Sequence, residues 1–394
     1  MFETLEPKPA DAILKLIAEH QEDPRDEKVD LGVGVYRDAE GRTPILNTVK
    51  KAEHWLVGTQ ESKAYLGSRG DVAFCDAVER LVFGDSANTD ERLSTVQSPG
   101  GSGALRVAAE LVLRANPKAT MWVSDPTWNN HVPLLGEAGV SLRPYPYYDT
   151  SSNSLQFDGM IEALSEASPG ELVLLHGCCH NPTGMDLSND QWDRVADLVE
   201  EKSLIPFIDL AYQGFAEGIE PDAYGVRLMY ERAPEMIVTQ SCSKNFGLYR
   251  DRVGALTFVS ADAETSKAVD SQVLSVVRTM YSLPPDHGAA VVARILNDEA
   301  LRQEWLEELE AMRGRLQGMR ELLVSELGKS APGTDFSHIA KTTGMFCYLG
   351  VSAEQVARLK KERGVYLVDS SRINVCGITA DNAAYLAESI ASVL

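Results

Sequence analysis

Glu171-Leu-Val-Leu-Leu-His176 is an apolar run that is followed by an amphipathic pattern at residues 189–201 and by a second apolar run, Pro206-Phe-Ile-Asp209. Consecutive apolar positions are typical of strands that are buried on both faces of a sheet. The amphipathic pattern is long enough to be the crossover helix between two parallel strands. This stretch therefore predicts a β-α-β unit, and with it an α/β fold built on a parallel sheet.

The same alternation continues on both sides of this unit. Further strands are predicted at residues 119–124, 236–241 and 253–259. Further helices are predicted at residues 103–115, 130–137, 157–167 and 222–232. Repeated units of this kind favour a mostly parallel, doubly wound sheet in a large domain.

The C-terminal part of the chain changes character. Helical patterns at residues 298–326, 352–363 and 381–394 alternate with short strand patterns at residues 345–349, 364–368 and 372–375. We expect a smaller α+β domain made from both chain ends, residues 1–43 and 311–394. The large domain would then span residues 44–310.

Composition excludes several classes of protein. Among the 394 residues, 44% are hydrophobic and 24% are charged, which is typical of a folded globular chain and not of a disordered one. The net charge of −21 argues against nucleic-acid binding, which needs a basic surface. No apolar run reaches the roughly 18 residues of a membrane span. The start of the chain lacks the apolar core of a signal peptide, so we expect a cytoplasmic protein with reduced cysteines.

Two segments contain the turn residues and small polar side chains of a binding loop. Ser98-Pro-Gly-Gly-Ser-Gly-Ala-Leu105 leads into a predicted helix, whose N-terminus can hold a phosphate, although such a sequence can also be a flexible turn. His176-Gly-Cys-Cys-His-Asn-Pro-Thr-Gly184 follows a predicted strand, where ligands bind in open α/β sheets. Its His and Cys spacing matches no standard metal site, and a plain turn is the alternative, so we predict no metal.

Two further segments offer charged groups. Asp209 ends a predicted strand and can hold a ligand cation or cap the next element, and Tyr212 follows it closely. Lys244 lies among small and apolar residues in Ser241-Cys-Ser-Lys-Asn-Phe-Gly247. A lysine is usually a surface residue, but desolvation would lower the pKa of this amine and make it a nucleophile. Arg252 follows and can meet a phosphate.

These four segments together suit pyridoxal phosphate. The cofactor needs an amine for its aldehyde, a carboxylate for its pyridinium nitrogen, a donor for its phenolate oxygen, and cations and hydroxyls for its phosphate. The sequence supplies each of these groups on segments that meet at one edge of the predicted sheet.

Longer motifs resemble the fold-type I, class I aminotransferases, and among them the aspartate and aromatic amino-acid aminotransferases. The resemblance covers nearly the whole chain, from Asp30-Leu-Gly-Val-Gly-Val-Tyr36 to Ser371-Arg-Ile-Asn-Val375. The other motifs are Ser241-Cys-Ser-Lys-Asn-Phe-Gly247, His180-Asn-Pro-Thr-Gly184, Asp209-Leu-Ala-Tyr-Gln-Gly-Phe215 and Asp125-Pro-Thr-Trp-Asn-Asn-His131. It implies a homodimeric transaminase that uses pyridoxal phosphate.

The resemblance also implies a role for each site residue. Lys244 would bind the cofactor covalently and move the proton of the substrate, and Asp209, with His131 behind it, would keep the pyridine nitrogen protonated. Tyr212 and Asn181 would hydrogen-bond the ring oxygen, and Trp128 would stack on the ring. The implied phosphate ligands are Gly101, Ser102, Gly103, Ser241, Ser243, Arg252 and, from the neighbouring subunit, Tyr65.

Two arginines would recognise the substrate. Arg372 corresponds to the residue that binds the α-carboxylate, helped by Asn181 and the backbone near Gly34, and a planar guanidinium suits a carboxylate. Arg278 corresponds to the residue that reaches across the dimer to a distal carboxylate. Both branches of the family keep these arginines, so they do not separate acidic from aromatic substrates.

Nearby positions predict dual specificity. Val35, Arg37 and Thr43 match the aspartate-preferring members, whereas Ser102, Leu283 and Ala64 stand where those members usually carry Thr, Asn and Asn. These three replacements loosen the polar surroundings of Arg278, which could then swing out for an aromatic ring whose burial contributes about 2–3 kcal/mol. We predict that aspartate, glutamate and aromatic amino acids are donors and that 2-oxoglutarate is the acceptor.

Four alternatives remain open at this point. The first is a strict aspartate aminotransferase, and the second is a β-decarboxylase or lyase on the same fold. The third is a ligand-sensing domain without catalysis, which would need a DNA-binding module that the acidic N-terminal residues do not provide. The fourth is a nicotinamide dehydrogenase, but the chain lacks the G-x-G-x-x-G fingerprint after its first strand.

Overall fold

Strands and helices alternate through the centre of the chain in a computed structural model, which describes residues 1–7 and 12–394. The strands are β1 Val29–Asp30, β2 Leu93–Pro99, β3 Thr120–Asp125, β4 Ser141–Pro146, β5 Tyr148–Asp149, β6 Ser154–Leu155, β7 Leu172–His176, β8 Ile205–Leu210, β9 Met236–Ser241, β10 Val253–Val259, β11 Phe346–Tyr348, β12 Val365–Tyr366 and β13 Arg372–Asn374. The α-helices are α1 Ala12–Glu22, α2 Asn47–Thr59, α3 Val72–Phe83, α4 Gly100–Ala115, α5 His131–Gly136, α6 Phe157–Leu164, α7 Asn189–Lys202, α8 Tyr224–Arg232, α9 Ala263–Met280, α10 His287–Asn297, α11 Glu299–Ser330, α12 Ala353–Arg363 and α13 Ala383–Ala391.

A seven-stranded sheet has the order β2-β10-β9-β8-β7-β3-β4. The pairs from β9 through β8, β7 and β3 to β4 are parallel, and only β10 runs antiparallel to its neighbours within the sheet. The sheet is therefore mostly parallel, which confirms the predicted fold class. The strands predicted at residues 236–241 and 253–259 have the predicted bounds.

Helices cover both faces of this sheet, and apolar residues of its central strands are buried on both sides. Leu172 and Leu174 of β7 pack on one side with residues of α4, α5 and α9. Val173 and Leu175 point to the other side and join a core with α3, α7 and α8. This alternation is what the apolar run of residues 171–176 predicts for a strand buried on both faces.

The two edge strands, β2 and β4, are not among the predicted elements, and neither are α2, α3, α9 and α10. β2 carries buried polar residues that find partners: Thr95 Oγ1 lies 2.7 Å from Thr257 Oγ1, and Ser94 Oγ donates to Asp270 Oδ1 at 2.7 Å. β4 contains Pro144 and Pro146, which an edge strand tolerates because one of its sides needs no ladder. Neither strand has an apolar run that would mark it.

The two chain ends form small sheets outside the seven-stranded sheet. β1 pairs in parallel with β12, and β11 pairs antiparallel with β13. Helix α11 runs without a break through residue 310, where the sequence analysis places a domain border. The division at residues 43 and 310 stays a prediction. None of the described helices combines the length and the apolar character that crossing a bilayer requires.

Candidate active site

A cavity of about 240 Å³ lies at the carboxyl ends of β7, β8 and β9, next to the first turn of α4. Most residues of the predicted site line it, although they come from distant parts of the chain. These residues are Gly34, Gly101, Ser102, Trp128, Asn181, Asp209, Tyr212, Ser241, Ser243, Lys244, Arg252 and Arg372.

Three predicted site residues do not line this cavity. The Tyr65 side chain is 92% exposed, and Arg278 is also exposed, with its Nη1 donating to Ser282 Oγ at 2.5 Å. Gly103 lies in the first turn of α4, where a Cβ would come within 2.7 Å of Pro99 Cδ. Glycine at this position therefore lets the start of the helix pack against Pro99.

Lys244 lies in a turn directly after β9. Its Nζ is 4.5 Å from the centre of the Tyr212 ring. Burial, helped by the nearby Arg252 cation, lowers the pKa of this amine to about 8, although the Asp209 carboxylate acts in the opposite direction. At pH 7, roughly one such amine in ten is neutral, far more than for a solvated lysine.

Asp209 ends β8 and is held by two side chains. His131 Nε2 lies 3.1 Å from its Oδ2, and Thr239 Oγ1 donates to its Oδ1 at 3.0 Å. Burial alone would raise the pKa of this carboxyl group, but the contacts with His131 and Thr239 hold the pKa below its usual value. The group is therefore an anion at neutral pH.

The histidines of the His176–Gly184 segment are occupied by protein partners. His180 Nε2 lies 3.0 Å from Ser124 Oγ, and its Nδ1 lies 2.9 Å from Thr183 Oγ1. His176 Nε2 lies 3.2 Å from Thr127 Oγ1, and burial lowers the pKa of His176 to about 3. Both rings are therefore neutral members of a buried polar network.

Cys178, Cys179 and Asp222 bring three ligand-type atoms within 4.8 Å of one another. The Asp222 carboxylate already accepts four backbone N–H groups, from Gly214, Ala216, Glu217 and Gly218. These bonds use the lone pairs that a metal ion would need. The geometry of Asp222 is that of a loop anchor.

The first turn of α4 forms one wall of the cavity. The helix starts at Gly100, whereas the sequence predicts a start at residue 103. Gly101 and Ser102 therefore belong to the first turn of the helix and not to a loop before it. No side chain caps this N-terminus, which leaves its backbone N–H groups for an anion. A Cβ on Gly100 would lie 2.5 Å from Arg252 Nη2, so the arginine sits directly against this turn. The arrangement suits a phosphate group.

Arg372 is buried and also lines the cavity. Its guanidinium carbon lies 4.3 Å from the centre of the Phe346 ring, and its Nη2 donates to the Gly32 carbonyl at 3.3 Å. Among the described residues, Arg372 Nε and Asn181 Oδ1 are buried without a hydrogen-bond partner. Buried polar atoms are rarely left unpaired, so these two atoms fit a polar ligand in the cavity.

Sequence reasoning missed several lining residues, among them Tyr249 and Phe346. The Tyr249 hydroxyl accepts a hydrogen bond from the backbone N–H of Tyr36 at 2.8 Å, a contact between distant segments. Phe346 lies in a short apolar strand that looks like core. The one local signal for Tyr249 is that it is an aromatic residue shortly after Lys244 in the sequence.

Comparisons with known proteins bear on the family of the chain. The family "Aminotransferase class I and II" matches residues 26–390. Aspartate aminotransferase of Escherichia coli (strain K12) is 48% identical over 396 residues, with 100% of both chains covered. Aromatic-amino-acid aminotransferase of Pseudomonas aeruginosa is 46% identical over 387 residues, covering 98% of this chain and 97% of the relative.

A solved structure is also similar along the whole chain. It is an aromatic-amino-acid aminotransferase from Burkholderia pseudomallei covalently bound to pyridoxal phosphate, with a TM-score of 0.98 and 42% identity, covering 100% of this chain and 99% of that one. A family match across most of the chain and full-length relatives above 40% identity leave one assignment. The chain belongs to the class I and II aminotransferases.

Proposed function

We propose that this chain is a pyridoxal-phosphate-dependent aminotransferase that moves the amino group of aspartate, glutamate and aromatic amino acids to 2-oxoglutarate. One observation carries the proposal. A single cavity holds the Lys244 amine with its lowered pKa, the Asp209 carboxylate and the buried Arg372. An amine, an anion and a cation in this arrangement suit an amino acid and a pyridine ring.

The cavity residues fit the cofactor. Pyridoxal phosphate supplies an aldehyde for the amino group and a ring that withdraws electrons. Asp209 would hold a proton on the ring nitrogen, and Trp128 would cover the ring. Tyr212 and Asn181 would hydrogen-bond the phenolate oxygen of the ring. The phosphate ligands would be the first turn of α4 with Gly101, Ser102 and Gly103, together with Ser241, Ser243 and Arg252.

Lys244 would carry the proton step. Its lowered pKa provides a neutral amine that can take a proton from the substrate Cα. The same amine would then deliver this proton to C4′ of the cofactor. Arg372 would bind the α-carboxylate with Asn181 and the backbone near Gly34, which fixes the Cα–H bond beside this amine. Because Arg372 is buried, water does not compete for its guanidinium, and a carboxylate would interact with it more strongly than at the surface.

The substrate range rests on two kinds of support. Relatives named for aspartate and for aromatic amino acids are nearly equally similar to the chain, at 48% and 46% identity. Ala64, Ser102 and Leu283 stand where the aspartate-preferring members usually carry Asn, Thr and Asn, and these replacements would loosen the polar surroundings of Arg278. The single hydrogen bond from Arg278 to Ser282 is one that an outward swing could break.

A homodimer with shared sites would account for two of the three predicted site residues that lie outside the cavity. Tyr65 and Arg278 are exposed in one chain, and each would complete the site of the neighbouring subunit, at the phosphate and at the distal carboxylate. We also expect the enzyme to work in the cytoplasm, where its six buried free cysteines stay reduced.

Single-turnover spectroscopy of the protein loaded with pyridoxal phosphate tests the proposal. L-Aspartate and L-phenylalanine are mixed separately with the enzyme, and the conversion of bound pyridoxal to pyridoxamine phosphate is followed. Conversion with both amino acids is the expected result. Conversion with aspartate alone would make the enzyme a strict aspartate aminotransferase, and release of CO2 or ammonia would indicate a decarboxylase or lyase.

A further inference from the structure

Gln97 of β2 is fully buried and joins two loops that lie far apart in the sequence. Its Oε1 accepts the backbone N–H of Asp71 at 2.9 Å, and its Nε2 donates to the carbonyl of Pro285 at 2.6 Å. The Gln97 backbone N–H also donates to the carbonyl of Arg69 at 2.8 Å. With its side chain and its backbone, Gln97 therefore holds residues 69–71 and residue 285 against the edge of the sheet.

The two loops also touch each other. Ser68 Oγ donates to the Ser282 carbonyl at 3.0 Å. Gly70 has a φ of +85°, and a Cβ there would lie 2.4 Å from Gln97 Oε1 and 2.8 Å from Pro284 Cγ. Glycine at this position lets both loops close directly on Gln97, so the three parts form one unit.

Each of the two loops is connected to an exposed side chain that the proposed function needs: Tyr65 in one case and Arg278 in the other. Tyr65 lies a few residues before Ser68, in a segment without helix or strand. Arg278 is hydrogen-bonded to Ser282 Oγ, on the loop that Gln97 holds at Pro285. A shift of either loop would therefore move a side chain that must reach into another subunit.

We propose that Gln97 is a positioning residue that holds Tyr65 and Arg278 in the orientation in which they complete the neighbouring subunit's site. The proposal rests on the proposed roles of Tyr65 and Arg278. β2 runs directly into the first turn of α4, so the same strand supports the phosphate wall of its own cavity and both side chains that serve the other one.

Gln97→Met tests the proposal, because it keeps the volume and removes both side-chain hydrogen bonds. We expect the KM for aspartate and for 2-oxoglutarate to rise about tenfold, as a misplaced cation partner would cause. The KM for phenylalanine and the kcat should stay within about twofold to threefold, since the groups at the reacting atoms are unchanged. The Kd of pyridoxal phosphate should rise, and hydrogen exchange should speed up in residues 64–71 and 281–285.

Two further variants make the result specific. Ser68→Ala removes the hydrogen bond to Ser282 from a partly exposed site, and it should shift the KM for dicarboxylates in the same direction by a smaller factor. Tyr145→Phe is the matched control. It removes a buried 2.8 Å hydrogen bond to the Leu174 carbonyl at the opposite edge of the sheet, and it should leave the ratio of KM values unchanged.

The outcomes separate this proposal from the function on which it rests. If Gln97→Met lowers kcat for all substrates alike, as a general loss of stability would, the positioning role is wrong. If Arg278→Ala leaves the KM for dicarboxylates unchanged, the proposed role of Arg278 fails. The Kd of the cofactor and the hydrogen exchange of the two loops then decide on Gln97, and unchanged values of both would overturn its role.

Discussion

His131 Nε2 lies 3.1 Å from Asp209 Oδ2, and this buried contact lowers the pKa of the carboxyl group, which burial alone would raise. Thr127 Oγ1 lies 2.8 Å from the other ring nitrogen of His131, which fixes the ring. The carboxylate is thus prepared, before any ligand arrives, to hold a proton on a pyridine nitrogen. Such preorganised charge costs no rearrangement during the reaction.

Asp209→Asn should therefore lower the single-turnover rate with every amino acid by on the order of 10²–10³, the usual effect of losing a preorganised charged partner. Asn has nearly the same shape but cannot balance a protonated ring nitrogen. Thr239→Val is the control, because it removes one hydrogen bond and keeps the charge. We expect about a tenfold loss there. Equal losses in both variants would contradict the electrostatic role.

Lys244 should show its lowered pKa in the rate at which the protein without cofactor captures pyridoxal phosphate. Only the neutral amine attacks an aldehyde, so the rate should rise about tenfold per pH unit below pH 8 and level off above it. A rate that keeps rising to pH 10 would mean an ordinary, solvated lysine. Lys244→Ala should bind the cofactor without a covalent bond and show no transamination.

The central strands of the fold are predictable because they are apolar on both faces, as in Leu172–His176. The edge strand β2 is not, since its polar residues are buried only when partners such as Thr257 and Asp270 are brought to them. Those partners lie far from β2 in the sequence, and no local pattern predicts them. Tertiary contacts decide such strands.

The site follows the same rule. Asp209 and Lys244 are predictable because each ends or follows a buried strand, and parallel strands bring their ends together. Tyr249 is not, because its place depends on the N–H of Tyr36 in the other chain end. The position of Arg278, exposed and outside the cavity, is likewise not marked by any strand pattern.

Gly184 should not tolerate a side chain. Its φ is +68°, and a Cβ would lie 2.2 Å from the carbonyl oxygen of Phe346, where the Asn181 turn meets β11. Gly184→Ala should lower the free energy of unfolding by about 2–4 kcal/mol through strain and overlap. Gly314→Ala lies on α11 with nothing within 4 Å and should raise it by about 0.5–1 kcal/mol. Thermal unfolding of both variants measures this opposite sign.

Hybrid dimers decide whether Arg278 serves its own cavity or that of the other subunit. A dimer of one Lys244→Ala chain and one Arg278→Ala chain, isolated with two different affinity tags, contains one site with both residues if Arg278 crosses the interface. Its second site then lacks both. Because the two sites of a symmetric dimer are equivalent, the hybrid should recover about half of the aspartate turnover of the unmodified dimer.

If Arg278 instead serves its own chain, each site of the hybrid lacks one residue, and the turnover should not exceed that of the Arg278→Ala dimer. A hybrid of Lys244→Ala with an unmodified chain is the control, since it keeps one complete site under either arrangement. Arg278 is exposed and lies outside the cavity of its own chain, which is the reason to expect recovery. Phenylalanine has no distal carboxylate, so its rate should be equal in all dimers that keep one Lys244. Recovery with aspartate alone would then show that the crossing Arg278 binds the distal carboxylate.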